Sequence, residues 1–283
     1  MKKRNYTNFI LVIMLVLGVS LLLYPSVANI WNSYNQSQVI NSYTDSISKM
    51  SNDEYDKMLK EAHTFNKQLR EINYPWNLDE DMKLKYENTL NVDKVGMMGF
   101  IEIPILNIKF PIYHGTSDTT LQVAIGHVEG SSLPVGGEST HSVLSGHRGL
   151  PSAKLFTDLD QMQLQDQFMI HILDETYTYE VDQIRIVLPQ EVDDIAIVDG
   201  EDYCTLVTCT PYGINTHRLL VRGHRIENDA SIYANRVATD AIQIDGYVVA
   251  LFLLIPSVII VILCMLLFTT LKRKGGKHEK KRN

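Results

Sequence analysis

Two long apolar runs bracket the chain and limit how the sequence between them can fold. Residues 9–24 carry no charge, and residues 247–271 form a longer uncharged run. About 20 apolar residues cross a bilayer, so the second run predicts a transmembrane helix. The first run follows a basic start and fits either a signal peptide, with a weak cleavage site at residues 26–28, or an uncleaved anchor within residues 9–31. We favour the anchor.

Basic residues concentrate in the two tails. Residues 1–8 and 272–283 hold ten of the 26 Lys and Arg but one of the 33 Asp and Glu, which leaves 16 basic against 32 acidic residues in between. The positive-inside rule predicts both tails in the cytoplasm and residues 25–246 outside, in a two-span protein of the cell membrane. Phosphate contacts need Lys and Arg, so an acidic domain argues against nucleic acid as a partner. The lipid bilayer is the expected partner of the ends.

The middle of the chain changes character near Gly99. Before it, residues 32–98 are polar, with apolar residues at near-helical spacing, which predicts a helical stalk. After it, short extended segments alternate with Gly, Pro and Asp, a pattern typical of an all-β barrel or sandwich. We expect this domain to span residues 99–245. The candidate strands are residues 100–103, 108–113, 142–144, 167–173, 176–188, 203–208 and 218–225.

A cysteine at a strand end is the strongest candidate for chemistry. Cys209 closes a β-rich segment, and Pro211 and Gly213 then turn the chain into a second strand that carries arginines. A thiolate is the reactive form of cysteine, and neighbouring positive charge stabilises it. Cys204 lies five residues earlier on the same strand, so its side chain points to the opposite face and a disulfide between the two is not expected. We interpret Cys204 as a buried apolar residue.

A nucleophilic cysteine needs a base or ion-pair partner, most often histidine. His147 stands out because it follows a strand and lies between Gly146 and Gly149, where the backbone can turn and expose the imidazole. The spacing shows no metalloprotease helix, and no metal or cofactor is expected. The residues alone leave the other outer histidines open as alternatives: His63, His114, His127, His141, His171, His217 and His224.

Four segments resemble the class C sortases, the pilus-assembling branch of a cysteine transpeptidase family. They are residues 103–116, 126–137, 145–159 and 205–225, the last beginning Thr-Leu-Val-Thr-Cys. Class C members usually carry two membrane spans, as expected here. The resemblance implies an eight-stranded sortase-type β-barrel with short helices. It also implies three catalytic roles, with Cys209 as nucleophile, His147 as general acid and base, and Arg218 as the cation that binds substrate and oxyanion. Arg222 shares a strand face with Arg218 and stays a weaker alternative.

The resemblance also implies a reaction. The thiolate attacks the Thr–Gly bond of a Leu-Pro-x-Thr-Gly-like sorting signal, and a lysine of another pilin subunit resolves the thioester. One alternative is a cell-wall-anchoring sortase that uses a peptidoglycan amine. Another is a cysteine hydrolase, since water can attack the same thioester. An alternative from another class is a non-catalytic membrane-tethered adhesion or scaffold protein.

The sequence departs from the class C pattern at the lid. Class C members cover the active site with an Asp-Pro-aromatic motif, whereas this chain has Tyr74, Pro75 and Trp76. The usual burial of aromatics favours Trp76 as a core residue, but the resemblance favours Trp76 as a cover over Cys209. Without the Asp, we expect aromatic packing to hold the lid and the lid to open more readily.

Overall fold

The structure is a computed structural model that describes residues 6–72, 75–228, 256–257 and 260–261. The chain divides into two compact units, residues 1–27 with 231–283 and residues 28–230. Most of the expected second span, residues 247–271, lies outside the described residues. The same holds for residues 1–5 and for the basic tail 272–283.

One helix in the described part of the chain is long and apolar enough to cross a membrane. Helix α1 comprises Tyr6–Ser48, and the candidate membrane span within it is Ile10–Ser48. In the described part of the chain, no residue of its most apolar window is buried. This helix covers the expected anchor and continues without a break into the region expected to form the stalk.

The helices after α1 pack on the barrel, so the expectation of a simple stalk is wrong. Helix α2 (Asn52–Arg70) starts at Ser51, whose hydroxyl accepts a hydrogen bond from the Glu54 backbone N–H, and α3 (Glu80–Asn88) starts at Asp79 in the same way. Their apolar faces lie in the same buried cluster as the barrel interior, through residues that include Phe65, Leu69 and Tyr86. Burial of this apolar surface holds the helices on the domain.

Eight strands close into a barrel with the order β1-β2-β3-β4-β7-β8-β6-β5. The pairs β2/β3 and β4/β7 are parallel and the others are antiparallel. A short helix α4 (Asp118–Leu121) precedes β3, and 3-10 turns cover Pro104–Leu106, Leu159–Gln161 and Asp193–Ile195. The strands are β1 Met97–Ile103, β2 Ile108–His114, β3 Ile125–His127, β4 Thr140–Ser145, β5 Gln167–Ile172, β6 Glu175–Val187, β7 Asp202–Thr210 and β8 His217–Ile226.

Seven of these strands match the segments expected from sequence, and the strand β3 was missed. It has three residues, Ile125–His127, too few to show an alternating pattern. Its partners lie on β2 and β4, so tertiary pairing rather than local propensity makes it a strand. Gly126 permits this packing, because a Cβ there would overlap the carbonyl oxygen of Gly115.

A tyrosine in α1 ties the helical segment to two barrel strands. The Tyr43 hydroxyl donates to the backbone carbonyl of Met98 at 2.8 Å and accepts from the backbone N–H of Leu173 at 2.8 Å. The side chain is 1% exposed, so neither partner can turn to water if the hydroxyl is lost.

We therefore expect Tyr43→Phe to lower the free energy of unfolding by about 1–3 kcal/mol, the cost of leaving buried polar groups unpaired. Urea unfolding of the full chain in detergent micelles measures it. Tyr34→Phe is the matched control, since Tyr34 lies on the same helix and is 60% exposed. Equal effects of the two substitutions would contradict the docking role of Tyr43.

Candidate active site

Cys209 lies near the end of β7, on the outer face of the barrel. Strand β7 alternates strictly over its second half, with Leu206 and Thr208 buried and Val207 and Cys209 half-buried. Cys204 falls on the inner face, fully buried, and burial raises the pKa of its thiol well above the usual value. The opposite orientation of the two cysteines agrees with the interpretation of Cys204 as a core residue.

His147 follows β4, which pairs in parallel with β7, the strand that carries Cys209. The register pairs Ser145 with Val207, and the ladder continues because the Gly146 N–H donates to the Val207 carbonyl at 3.0 Å. The Thr208 hydroxyl donates to the Gly146 carbonyl at 2.7 Å. His147 lies two residues after Ser145, and Cys209 lies two residues after Val207. Neighbouring strands lie about 4.8 Å apart, so the segment that carries His147 leaves β4 at the end of β7 where Cys209 lies.

The glycines around His147 serve packing as much as turning. A Cβ on Gly146 would lie 2.7 Å from ring carbon Cδ2 of the fully buried Phe156. Gly149 has a φ of +78°, and a Cβ there would lie 2.8 Å from the Tyr212 ring. The segment after β4 is thereby pressed between the core and the turn that follows β7. Sequence suggested backbone freedom here, and the structure adds close contact on both sides.

Arg218 lies directly across from Cys209. Strands β7 and β8 pair Cys209 with Arg218 in antiparallel register, so their side chains point to the same face. The guanidinium is half-buried and donates from Nη1 to the backbone carbonyls of His217 at 3.2 Å and Asn215 at 3.4 Å. Among the described residues no carboxylate lies within ion-pair distance of it. Its charge therefore remains available to a ligand.

Arg222, the alternative cation, is committed elsewhere. It forms a two-pronged ion pair with Asp182, at 3.0 Å from Nε and 2.8 Å from Nη2. Its guanidinium also stacks on the Tyr203 ring at 4.1 Å. On β7 it pairs with Thr205, four residues away from Cys209. The geometry separates the two arginines, and Arg218 is the one placed at the cysteine.

Two further histidines are buried and fully used as structural groups. His127 contacts the Tyr86 hydroxyl and the Ser132 carbonyl, and burial lowers its pKa to about 3. His141 contacts the Ala196 carbonyl at 2.8 Å and the Thr205 hydroxyl at 2.7 Å, and burial lowers its pKa to about 4. Both are held neutral, away from Cys209.

The remaining candidates do not approach the cysteine in the same way. His63 is exposed on α2, and both ring nitrogens of His114 face backbone carbonyls at 2.8 Å. His171 stacks on Phe100. His217 and His224 lie on β8, where they pair with Thr210 and Tyr203. In the part of the chain that the structure describes, no cluster of His, Cys, Asp or Glu could hold a metal ion.

The candidate lid contacts a glycine that sequence reasoning did not single out. Tyr74 lies outside the described residues, whereas Pro75 and Trp76 are both half-buried. A Cβ on Gly130 would overlap the carbonyl oxygen of Pro75 and lie 3.1 Å from the Cα of Trp76. The motif thus rests with its backbone directly on Gly130, in the loop after β3. The only sequence signal was a Gly within a segment that resembles the family.

Comparison with known proteins identifies the family. Residues 101–226 match the Sortase domain family. Sortase C1 from Streptococcus agalactiae is 55% identical, with a TM-score of 0.67 over 68% of this chain and 100% of that one. The chain belongs to the sortase family, in class C. Two further class C structures have 44% identity, from Streptococcus pneumoniae (TM-score 0.62, 68% of this chain and 98% of that one) and from Clostridium perfringens (TM-score 0.60, 68% and 100%), the latter with the C-terminal cell wall sorting motif.

Membership gives the geometry a chemical meaning. Sortases are cysteine transpeptidases, and this sortase has one half-buried cysteine in the described residues, paired across the sheet with Arg218. The eight-stranded barrel expected from the resemblance is confirmed.

The two neutral buried histidines predict an acid-sensitive fold. An unfolded histidine takes up a proton below pH 6.5, whereas folded His141 does so only near pH 4. Between these values the unfolded state binds more protons, so the free energy of unfolding decreases as the pH is lowered. For His141 alone this loss is about 2 kcal/mol between pH 6.5 and pH 4.5. His141→Gln should flatten the pH dependence of urea unfolding by that amount. The control His63→Gln should leave it unchanged, and an unaltered slope in His141→Gln would contradict the prediction.

Proposed function

We propose that this sortase is a membrane-anchored enzyme that polymerises pilins. It cleaves a Leu-Pro-x-Thr-Gly-like sorting signal between Thr and Gly, holds the acyl group as a thioester on Cys209, and transfers it to a lysine of another pilin subunit. The observation that carries the proposal is the pairing of Cys209 with Arg218 across β7 and β8, with His147 two residues beyond the end of β4, the parallel partner of β7. Helix α1 is the proposed anchor, since its apolar window is unburied.

The first half-reaction forms the thioester. The Cys209 thiolate attacks the threonine carbonyl carbon, so a C–S bond forms and the carbonyl oxygen becomes an oxyanion. Arg218 stabilises that oxyanion, since its guanidinium stays charged and donates several hydrogen bonds in one plane. His147, as imidazolium, protonates the glycine nitrogen as the C–N bond breaks. The new amine leaves with the C-terminal part of the signal.

The second half-reaction joins two proteins. A lysine ammonium of the acceptor first loses a proton, and the resulting amine attacks the thioester carbon. Neutral His147 takes the second proton as the C–N bond forms, and the C–S bond breaks to regenerate the thiolate. The product is an isopeptide bond. Splitting one acyl transfer into two steps replaces one high activation barrier by two lower ones. The thioester goes to an amine rather than to water only if the site limits the access of water.

The known relatives support a pilin substrate. The Streptococcus pneumoniae sortase C is described in terms of pilin substrate specificity, and the Clostridium perfringens enzyme was solved with a sorting motif. The cell-wall-anchoring alternative differs only in the acceptor amine. It is therefore an outcome of the same experiment rather than a separate proposal.

The proposed lid consists of Tyr74, Pro75 and Trp76 and covers Cys209. The position that carries Asp in the class pattern is Tyr74 here, so no carboxylate from this motif can pair with an arginine. The close contact of the Pro75 and Trp76 backbone with Gly130 supplies packing instead. A lid held by packing alone opens at a lower free-energy cost than one that also breaks a buried ion pair.

Intact-mass spectrometry of the full chain tests the reaction. Incubation with a sorting-signal peptide and a pilin should add the mass of the N-terminal peptide fragment to the wild type and nothing to Cys209→Ala. Arg218→Ala should slow acylation by about 10²–10³, as loss of an oxyanion donor does elsewhere. The matched control Arg222→Ala should acylate normally where it is folded. A pilin–pilin isopeptide bond supports the proposal. Transfer to a peptidoglycan amine indicates the cell-wall-anchoring alternative, and transfer to water indicates the hydrolase. If the wild type forms no acyl-enzyme, the proposal is wrong and the non-catalytic scaffold alternative is favoured.

The lid is tested by reactivity toward a charged methanethiosulfonate. Gly130→Ala should displace Pro75, and Trp76→Ala should remove the cover, so each should speed modification of Cys209 by about tenfold, equivalent to about 1.4 kcal/mol of lost lid contact. Gly200→Ala is the matched control, since its φ of +85° nearly equals the +91° of Gly130 but no atom lies within 4 Å of its Cβ. An unchanged rate in Trp76→Ala would refute the lid.

A further inference from the structure

Arg148 lies directly after His147 and reaches beneath the catalytic face. Its side chain is 9% exposed, and it forms an ion pair with Asp160 at the 3-10 turn Leu159–Gln161. Nη1 donates to the Thr210 hydroxyl at 3.1 Å. Its guanidinium carbon also lies 5.9 Å from the centre of the Tyr212 ring. One side chain therefore joins the segment after β4, the end of β7 and the turn before β8.

The contacts bracket the catalytic pair symmetrically. Thr208 and Thr210 flank Cys209, while Gly146 and Arg148 flank His147. The Thr208 hydroxyl donates to the Gly146 carbonyl at 2.7 Å, and the Arg148 guanidinium donates to the Thr210 hydroxyl at 3.1 Å. The two hydrogen bonds fix one strand end to the other on both sides of His147 and Cys209. They lie on the inner face, so they leave the outer face clear for a substrate.

The Arg148–Thr210 contact is also linked through the sheet to the strand that carries Arg218. Thr210 pairs across the sheet with His217, the residue before Arg218. A shift of Thr210 would therefore move Cys209 and Arg218 together. The Asp160 carboxylate pairs with the other side of the guanidinium and restricts its movement. The Asp160 side chain is 47% exposed, and a solvent-exposed ion pair contributes little net stability, so the contact serves to orient the guanidinium.

We infer that Arg148 is a positioning residue that sets the distance between His147 and Cys209, acting through Thr210. Its guanidinium is already held by Asp160 and Thr210, so it acts through another residue. The inference rests on the roles proposed above for His147 and Cys209. A misplacement of about 1 Å in such a pair can cost about 10²-fold in rate.

Three substitutions test the link. Arg148→Met keeps the aliphatic stem and removes the fork, Arg148→Lys keeps the charge, and Thr210→Val keeps the shape and removes the hydroxyl. Arg70→Met is the matched control, because Arg70 pairs with Asp199 at 2.8 Å, before the start of β7 and away from Cys209. The full chain in detergent micelles is assayed for acylation by a sorting-signal peptide, at a temperature where unfolding curves show every variant folded.

Arg148→Met is expected to slow acylation by about 10–100-fold with an unchanged KM, because ground-state binding is untouched. The pH profile of Cys209 alkylation by iodoacetamide should move to higher pH, a readout that a purely structural role would not shift. Arg148→Lys should recover part of the rate. Thr210→Val should lose rate, and Arg148→Met/Thr210→Val should be no slower than the slower single variant, since both act through one contact.

The inference is overturned if Arg148→Met acylates within twofold of wild type, if its alkylation profile stays in place, or if the two losses multiply. His147→Ala and Cys209→Ala separate this outcome from a failure of the proposed function. If both abolish acylation while Arg148→Met does not affect it, only the positioning role is wrong. If either retains activity, the proposed catalytic pair itself is wrong.

Discussion

The parallel pairing of β4 with β7 is the constraint on which the site depends. It joins residues about 60 positions apart in sequence, and the Thr208–Gly146 hydrogen bond spans 62 residues. A slip of one residue would turn His147 to the opposite face from Cys209, because side chains alternate along a strand. The antiparallel pairing of β7 with β8 adds Arg218 to the same face. Three segments, the end of β4, β7 and β8, are thus positioned by two registers.

Burial of the inner face of β7 opposes a slip of those registers. Cys204 and Leu206 lie in the barrel core, and Val207 and Cys209 face outward. A one-residue shift would move Cys204 and Leu206 out of the core, at a cost of about 1.5–3 kcal/mol for each large apolar side chain. The burial that stabilises the barrel therefore also fixes the facing of Cys209, so stability and the candidate site depend on the same strand pairs.

The fold was largely readable from sequence, and the exceptions have physical causes. Alternation and turn residues indicated seven strands, whereas β3 has three residues and depends on partners far away in sequence. The amphipathic helices were visible, but a pattern of apolar residues does not say which surface they cover. Phe65 and Tyr86 turn out to cover the barrel itself. Strand membership is partly local information, and docking is not.

The candidate site shows the same division between local information and tertiary contacts. Cys209 and Arg218 belong to one strand-turn-strand, so their proximity followed from residue spacing, and the structure separates Arg218 from Arg222 through the ion pair with Asp182. The glycines around His147 marked it as one candidate among several histidines, and the family resemblance selected it, because the pairing of β4 with β7 is not encoded in nearby residues. Arg148 and Gly130 carried no sequence signal of their own, since their roles consist of contacts with distant segments. Residues that act only through tertiary contacts are therefore the ones that a sequence hides.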